Sequence, residues 1–291
     1  MFAASATPAH SSIFDQDDRE YVSLVEGSPY SPVGVVTHGV LLYTFTTGFL
    51  VDDCHVLTSP AAFGYGQALL GKRAKFQAGF GTPQFASTKG TVVAAGPYGR
   101  DRTMKERYER GGGRWVLLRL DQCLGARLGH VALKTGPFSP YEFRDLKSAG
   151  YPARRSRKNG ITIDPSCRII SGMGTIWNDD CATLKGDAGD PIFRISGSGT
   201  KSQIEVYAMQ AYGFTPGVPV PLTAGLENQA IPMSLIAPQI EPYLSANGQR
   251  RAGESNKLGS QRADAVPHIG PGVGAPSNRP LLDTSLGETN R

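Results

Sequence analysis

From Val33 onward the chain is written in short apolar runs rich in β-branched and aromatic residues, each closed by Gly, Pro, Asn, Asp or Ser. One set comprises Val33–Val36, Val40–Phe45, Gly48–Val51, His55–Leu57, Thr91–Ala95 and Trp115–Leu120. The second comprises His130–Leu133, Leu146–Tyr151, Ile161–Ile163, Arg168–Met173, Gly174–Trp177, Pro191–Ile195, Ile204–Tyr212 and Gln229–Pro232. Runs this short suit strands rather than amphipathic helices. The 36 Gly and 21 Pro in 291 residues supply the turns between them, so the expectation is an all-β protein. Two successive sets predict two antiparallel barrels of about six strands each.

The boundaries follow from composition. Residues 1–26 are polar and acidic and read as an N-terminal arm; 27–128 form the first β-barrel; 129–246 form the second, with a C-terminal helix. That helix is expected over Met233–Leu244, where apolar residues recur three and four apart between prolines. Residues 247–291 are Gly/Pro-rich without period, cannot bury enough apolar surface to offset ordering entropy, and are expected to be a disordered tail.

The net charge of +5 comes partly from clusters, Arg100–Arg110 and Arg154, Arg155, Arg157 and Lys158. Such clusters read as solvated faces; adhesion to acidic polymers is the sharper alternative. No aromatics alternate with them, which argues against a nucleic-acid groove. No apolar run reaches the length of about 18 residues that a membrane span needs. Cys54, Cys123, Cys167 and Cys181 form neither a Cys-x-x-Cys pair nor a zinc spacing, so no metal and no cofactor is expected. Two disulfides, which point to an oxidising compartment, stand against buried thiols. Met1–Ser12 lacks both the basic and the apolar part of an export signal.

Three motifs occur in order. Gly48-Phe49-Leu50-Val51 leads to His55-Val56-Leu57-Thr58; Arg114-Trp115-Val116-Leu117-Leu118-Arg119-Leu120 follows; and Gly186-Asp187-Ala188-Gly189-Asp190-Pro191 precedes an apolar strand. Together they resemble the histidine, aspartate and nucleophile segments of trypsin-like serine peptidases. Ala149-Gly150-Tyr151-Pro152, and Asp164-Pro165-Ser166-Cys167-Arg168 before Asp180-Cys181, are similar to bacterial, glutamyl-endopeptidase-like members.

The resemblance implies the roles at stake. That chemistry needs a hydroxyl nucleophile, an imidazole to take its proton and a carboxylate to orient the imidazole. The matching positions here are Ala188, Ala61 and Arg114, so all three roles are unfilled. A cation at Arg114 would also disfavour an imidazolium beside it. His55 reads as a strand-end residue with an ordinary hydrogen bond. The oxyanion loop would be Gly186, Asp187 and Ala188, whose backbone donors outlast a side-chain change. Asp190 replaces a glycine and would bring negative charge near the cleft, which works against anion capture there. Gln210, Ala211, Tyr212 and Gly213 match the strand that pairs with substrate backbone. By the same resemblance Cys167 pairs with Cys181, and Cys54 meets Cys123 if their strands lie antiparallel.

The reading is a secreted or periplasmic pseudopeptidase that binds an unidentified peptide or protein. The alternatives are an active serine endopeptidase carrying a Ser-to-Ala change at Ala188, and a basic-loop adhesion module.

Overall fold

The structure is a computed structural model; it describes residues between Ser11 and Leu244 except 15–16, 25–26, 40–44, 65–67, 83–85, 98–108, 110, 137–142, 153–159, 174, 200–201, 213–215 and 221–226. The tail at 247–291, both basic clusters and residues 40–44 of one expected strand lie outside that set. The described N-terminal strands are β1 (Ser11–Phe14) and β2 (Glu20–Val22). Next come β3 (Val33–Thr37), β4 (Phe45–Leu50), β5 (His55–Thr58), β6 (Arg73–Ala78), β7 (Ala86–Ala95) and β8 (Val116–Leu120). The third group is β9 (Ala132–Leu133), β10 (Leu146–Gly150), β11 (Ile161–Cys167), β12 (Ile169–Met173) and β13 (Ile176–Asp179), then β14 (Pro191–Ser196), β15 (Gln203–Tyr212), β16 (Pro216–Val220) and β17 (Asn228–Pro232).

Strands β3, β4, β5, β8, β7 and β6 close into a barrel in that order. Its strands read as continuous apolar runs because many are buried on both faces. Val36, Leu50, Val56, Val116 and Leu118 fill the barrel interior with Phe76. Their neighbours Val35, Phe49, Leu57 and Leu117 face a second core shared with Tyr151, Phe193, Val206, Met209 and Ile231 of the following strands. Truncating one of these side chains, Phe193→Ala for example, costs about 3–5 kcal/mol by the usual cavity rule.

The second sheet has nine strands, with the path β12-β13-β17-β15-β14-β10-β11-β2 and β9 beside β15. Its two barrel ends, β11 and β12, are separated in sequence only by Arg168, so one bent strand turns the sheet back on itself. Six staves result, counting β11 and β12 as one. The Cys167–Cys181 disulfide sits at that corner, and Cys54–Cys123 joins the start of β5 to the chain after β8. Residues 233–244 form the expected helix, continuous through its prolines, with Met233, Ile236 and Ile240 buried.

Two features depart from the sequence reading. Strand β6 and the first half of β7 were not expected, because Arg73 and Lys75 alternate with buried Ala74 and Phe76 and break up the apolar run. The N-terminal segment is also more than an arm. Strand β2 pairs antiparallel with β11, β1 runs parallel to β16, and Arg19 between them is 8% exposed.

Candidate functional site

Both barrels contribute to one end-on junction. Antiparallel pairing sets Thr58 opposite Val116, so the residues after β5 and those before β8 share one end of the first barrel. Ala61 lies there in a single 3-10 turn, Pro60–Phe63, capped by the Ser59 side chain, which accepts from the Ala61 N–H at 3.3 Å. Arg114 lies two residues before β8 and is buried. From the second barrel the loop at 184–190 reaches the same place. A Cβ on Gly189 would collide with the Thr47 carbonyl and stand 3.0 Å from the Ser59 nitrogen. With φ at +95°, Gly189 has a backbone reason as well as a packing reason to be glycine.

Thr47 of β4 is the hub under this loop. Its N–H donates to the carbonyls of Gly186 and Ala188 at 2.9 and 3.1 Å. Its hydroxyl donates to the Gly186 carbonyl and accepts from the Tyr151 N–H at 3.0 Å. Asp187 ties the loop to itself and to the N-terminal segment. Its Oδ2 accepts from the Leu184 N–H at 2.7 Å and stands 3.4 Å from Arg19 Nη1. The Arg19 side chain is 2% exposed and holds Asp17 with its Nε at 2.8 Å. Burial works against its charge, but Asp17, Asp187 and Asp164 outweigh that and raise its pKa.

Asp190 behaves differently from the sequence expectation. It does not border the cleft with a negative charge; it is 2% exposed and lies where a Cβ on Gly150 would strike its carboxyl group. Burial, and then the neighbouring Asp187, push its pKa well above the carboxylate range, against the Thr47 hydroxyl and Arg19. The charged groups acting on it are thus Asp187 and Arg19.

The main chain of the loop splits by direction. The Asp187 N–H turns inward to the Leu184 carbonyl, and the Gly189 N–H to the Gln210 carbonyl. The Asp187 carbonyl accepts from the Asp190 N–H at 2.9 Å. In a planar trans peptide C=O and N–H point opposite ways, so the Ala188 N–H is aimed out of the loop. Neither it nor the Gly186 N–H donates to a protein acceptor among the described residues. An outward donor of this kind can hold an oxygen bearing negative charge.

Of the predicted groove residues, Gln210 has its N–H on the Asp190 carbonyl and its carbonyl on the Gly189 N–H, and its side chain reaches the Gln229 carbonyl at 3.3 Å. Ala211 is buried, Tyr212 pairs with Gln229, and Gly213 falls outside the described residues. His55 sits at the start of β5 with Nδ1 2.8 Å from Asp52 Oδ2. Asp52 also accepts the N–H groups of Cys54 and His55; burial raises its pKa, but these bonds prevail and lower it. Among the described residues no cluster of three His, Cys, Asp or Glu could hold a metal ion, and no helix is long and apolar enough to cross a membrane. Sequence reasoning missed Thr47, Gly150 and Arg19 as parts of the site. Gly150 stood in the Ala-Gly-Tyr-Pro motif and Arg19 in an Asp-Asp-Arg string before the first barrel, whereas Thr47 had no signal.

No family model and no curated protein sequence matches the chain. Solved structures do match in fold. A Glu endopeptidase in complex with MPD superposes with a TM-score of 0.59 at 16% identity, covering 80% of this chain and 99% of the other. The scabies mite inactivated protease paralogue S-D1 gives 0.53 at 9% identity, covering 76% and 95%. Protease Anisep from Arthrobacter nicotinovorans gives 0.52 at 14%, covering 76% and 97%. With a closed six-strand barrel, a second sheet folded back through β11 and β12, and these neighbours, the chain has the two-barrel, all-β fold of the trypsin-like serine proteases.

Proposed function

We propose that this chain is a pseudopeptidase, a peptide- or protein-binding relative of the trypsin-like serine peptidases that does not cut what it holds. The observation that carries this reading is Ala188, a methyl group on a loop whose main chain is otherwise tied into both barrels. A methyl group has no proton to lose and no lone pair to attack a carbonyl. Ala61 and Arg114 support the reading, because neither can serve as the general base or its orienting carboxylate. A serine restored at position 188 would therefore still lack its base. The two disulfides and the protease-like fold support an extracellular or periplasmic setting for the binding.

Prolonged incubation of the folded chain with casein peptides, followed by mass spectrometry of their termini, tests this. The expected result is no new terminus above a chain-free control. New termini that appear in proportion to the amount of folded chain would overturn the reading.

A further inference from the structure

The far end of the first barrel carries a charge pattern in which the loop at 184–190 has no part. Pairing of β5 with β8 sets Thr58 opposite Val116 at the site end and His55 opposite Arg119 at the other. Near that other end β6, β7 and β8 bring Arg73, Lys75, Lys89 and Arg119 to the surface, all exposed, and the three strands contain no Asp or Glu. The register arranges them. Thr91 stands between Arg73 on one side and Arg119 on the other, and Lys89 lies directly opposite Lys75. Arg119 and Lys89 are therefore diagonal neighbours, about 7–8 Å apart and within reach of long side chains. Like charges set directly opposite work against a sheet. Cations do protect sheet edges from pairing, but this barrel is closed and has no edge to protect.

Arg73 shows how the face treats a carboxylate. Its Nη1 and Nη2 donate to the two oxygens of Asp121, and Nη1 also donates to the Thr91 hydroxyl at 2.7 Å. Arg119, across the same threonine, and Lys89 make no side-chain hydrogen bond or ion pair among the described residues. We infer that Arg119, Lys89 and Lys75 form a binding stripe for an acidic polysaccharide, a polymer with one carboxylate per sugar ring, laid diagonally across β8, β7 and β6. The cations recur at about 5–8 Å, so successive ring carboxylates can each meet one. A forked guanidinium suits a carboxylate in particular. The one aromatic residue of the three strands, Phe76, is buried inside the barrel, so the face offers no ring on which a base could stack. The stripe is independent of whether the loop at 184–190 cuts or holds a peptide.

The test is calorimetric titration of the full chain with an oligogalacturonate of about ten rings, in about 0.15 M salt. The wild-type chain should bind. The triple variant Lys75→Gln, Lys89→Gln, Arg119→Gln should bind at least about tenfold more weakly, each lost surface ion pair contributing roughly two- to fivefold. Arg154→Gln, Arg155→Gln, Arg157→Gln removes as many charges from a different segment and should lose less than about threefold, which separates a stripe from attraction to net charge. The stripe variant should unfold at the wild-type temperature, since its residues are exposed; Lys89→Gln alone, expected to weaken binding about threefold, carries the test if the triple variant does not fold. Absence of wild-type binding, or equal losses in the two triple variants, overturns the inference. Tighter binding of oligo-dT or of polyglutamate at matched charge also overturns it, by giving the face to a nucleic acid or to an acidic protein.

Discussion

Beneath the loop, Arg19, Thr47, Asp187 and Asp190 lie buried: Arg19 beside the Asp187 carboxylate, Thr47 bonded to the loop carbonyls and Asp190 packed against Gly150. At the rim, Ala61 and Ala188 are half-buried and their side chains can neither donate nor accept a hydrogen bond. The floor and the rim of one site thus follow separate physical requirements. The floor needs charge neutrality and satisfied main-chain groups to hold the loop in place. Only the rim needs nucleophile, base and carboxylate. On the proposed reading a chain can keep the first without the second: with a methyl at position 188 the carbonyl bonds to Thr47 are in place.

The comparison breaks most visibly at Arg19. Arg19→Leu leaves the Asp187 carboxylate buried beside Asp190 without its cation, and removal of one partner of a buried pair costs about 3–5 kcal/mol. Chemical denaturation should register that loss, and Asp187→Asn in the same chain should recover part of it. A loss under about 1 kcal/mol would place Arg19 outside the floor.

Titration sharpens the contrast. Asp190 and Asp179 have folded pKa values well above those of the unfolded chain, and Asp164 is pushed up to about 6, burial being the leading cause each time. The native state therefore keeps protons that the unfolded chain gives up. Their stabilising effect is full below about pH 4, is lost for Asp164 as pH rises to about 6, and is lost for the other two as pH rises further. The Asp164 component alone is on the order of 3 kcal/mol. Thermal unfolding should accordingly occur at higher temperature near pH 5 than near pH 8. Asp190→Asn should flatten that slope and stabilise by about 1–2 kcal/mol at pH 8. Asp52 runs the other way, since its lowered pKa stabilises above pH about 4 and that part is lost on acidification. A wild-type slope that Asp190→Asn leaves unchanged would count against a buried, proton-holding floor.

The rim should respond least. Ala188→Ser is expected to change stability by no more than about 0.5 kcal/mol, since the site is half-buried and the loop carbonyls are held from elsewhere. It should add no hydrolysis of casein peptides, because no imidazole stands at position 61.

What was legible in the sequence divides along the same line. Both disulfide pairings were legible, Cys167–Cys181 from the motif around it and Cys54–Cys123 from the antiparallel strands that carry it. Strands buried on both faces announced themselves as unbroken apolar runs, while β6 was hidden by its alternate charges. The floor was mostly illegible. Arg19 and Asp187 are 168 residues apart, and only the fold brings them together. Asp190 was read with the wrong effect, because a carboxylate's charge depends on burial that a linear string does not display. Thr47 looked like an ordinary strand residue, yet four groups of the loop and of its neighbours meet on it.

The separation of floor from rim is tested most directly by fluorophosphonate labelling, read by intact mass, of the folded wild-type chain beside the triple variant Ala61→His, Arg114→Asp, Ala188→Ser. The expected result is an unmodified wild-type chain and a single adduct on the variant at Ser of the restored position, lost when the variant is unfolded first. A wild-type adduct, or a folded variant that takes no label, would contradict it: the first by showing a working nucleophile, the second by showing that the loop is not held in a geometry that supports one.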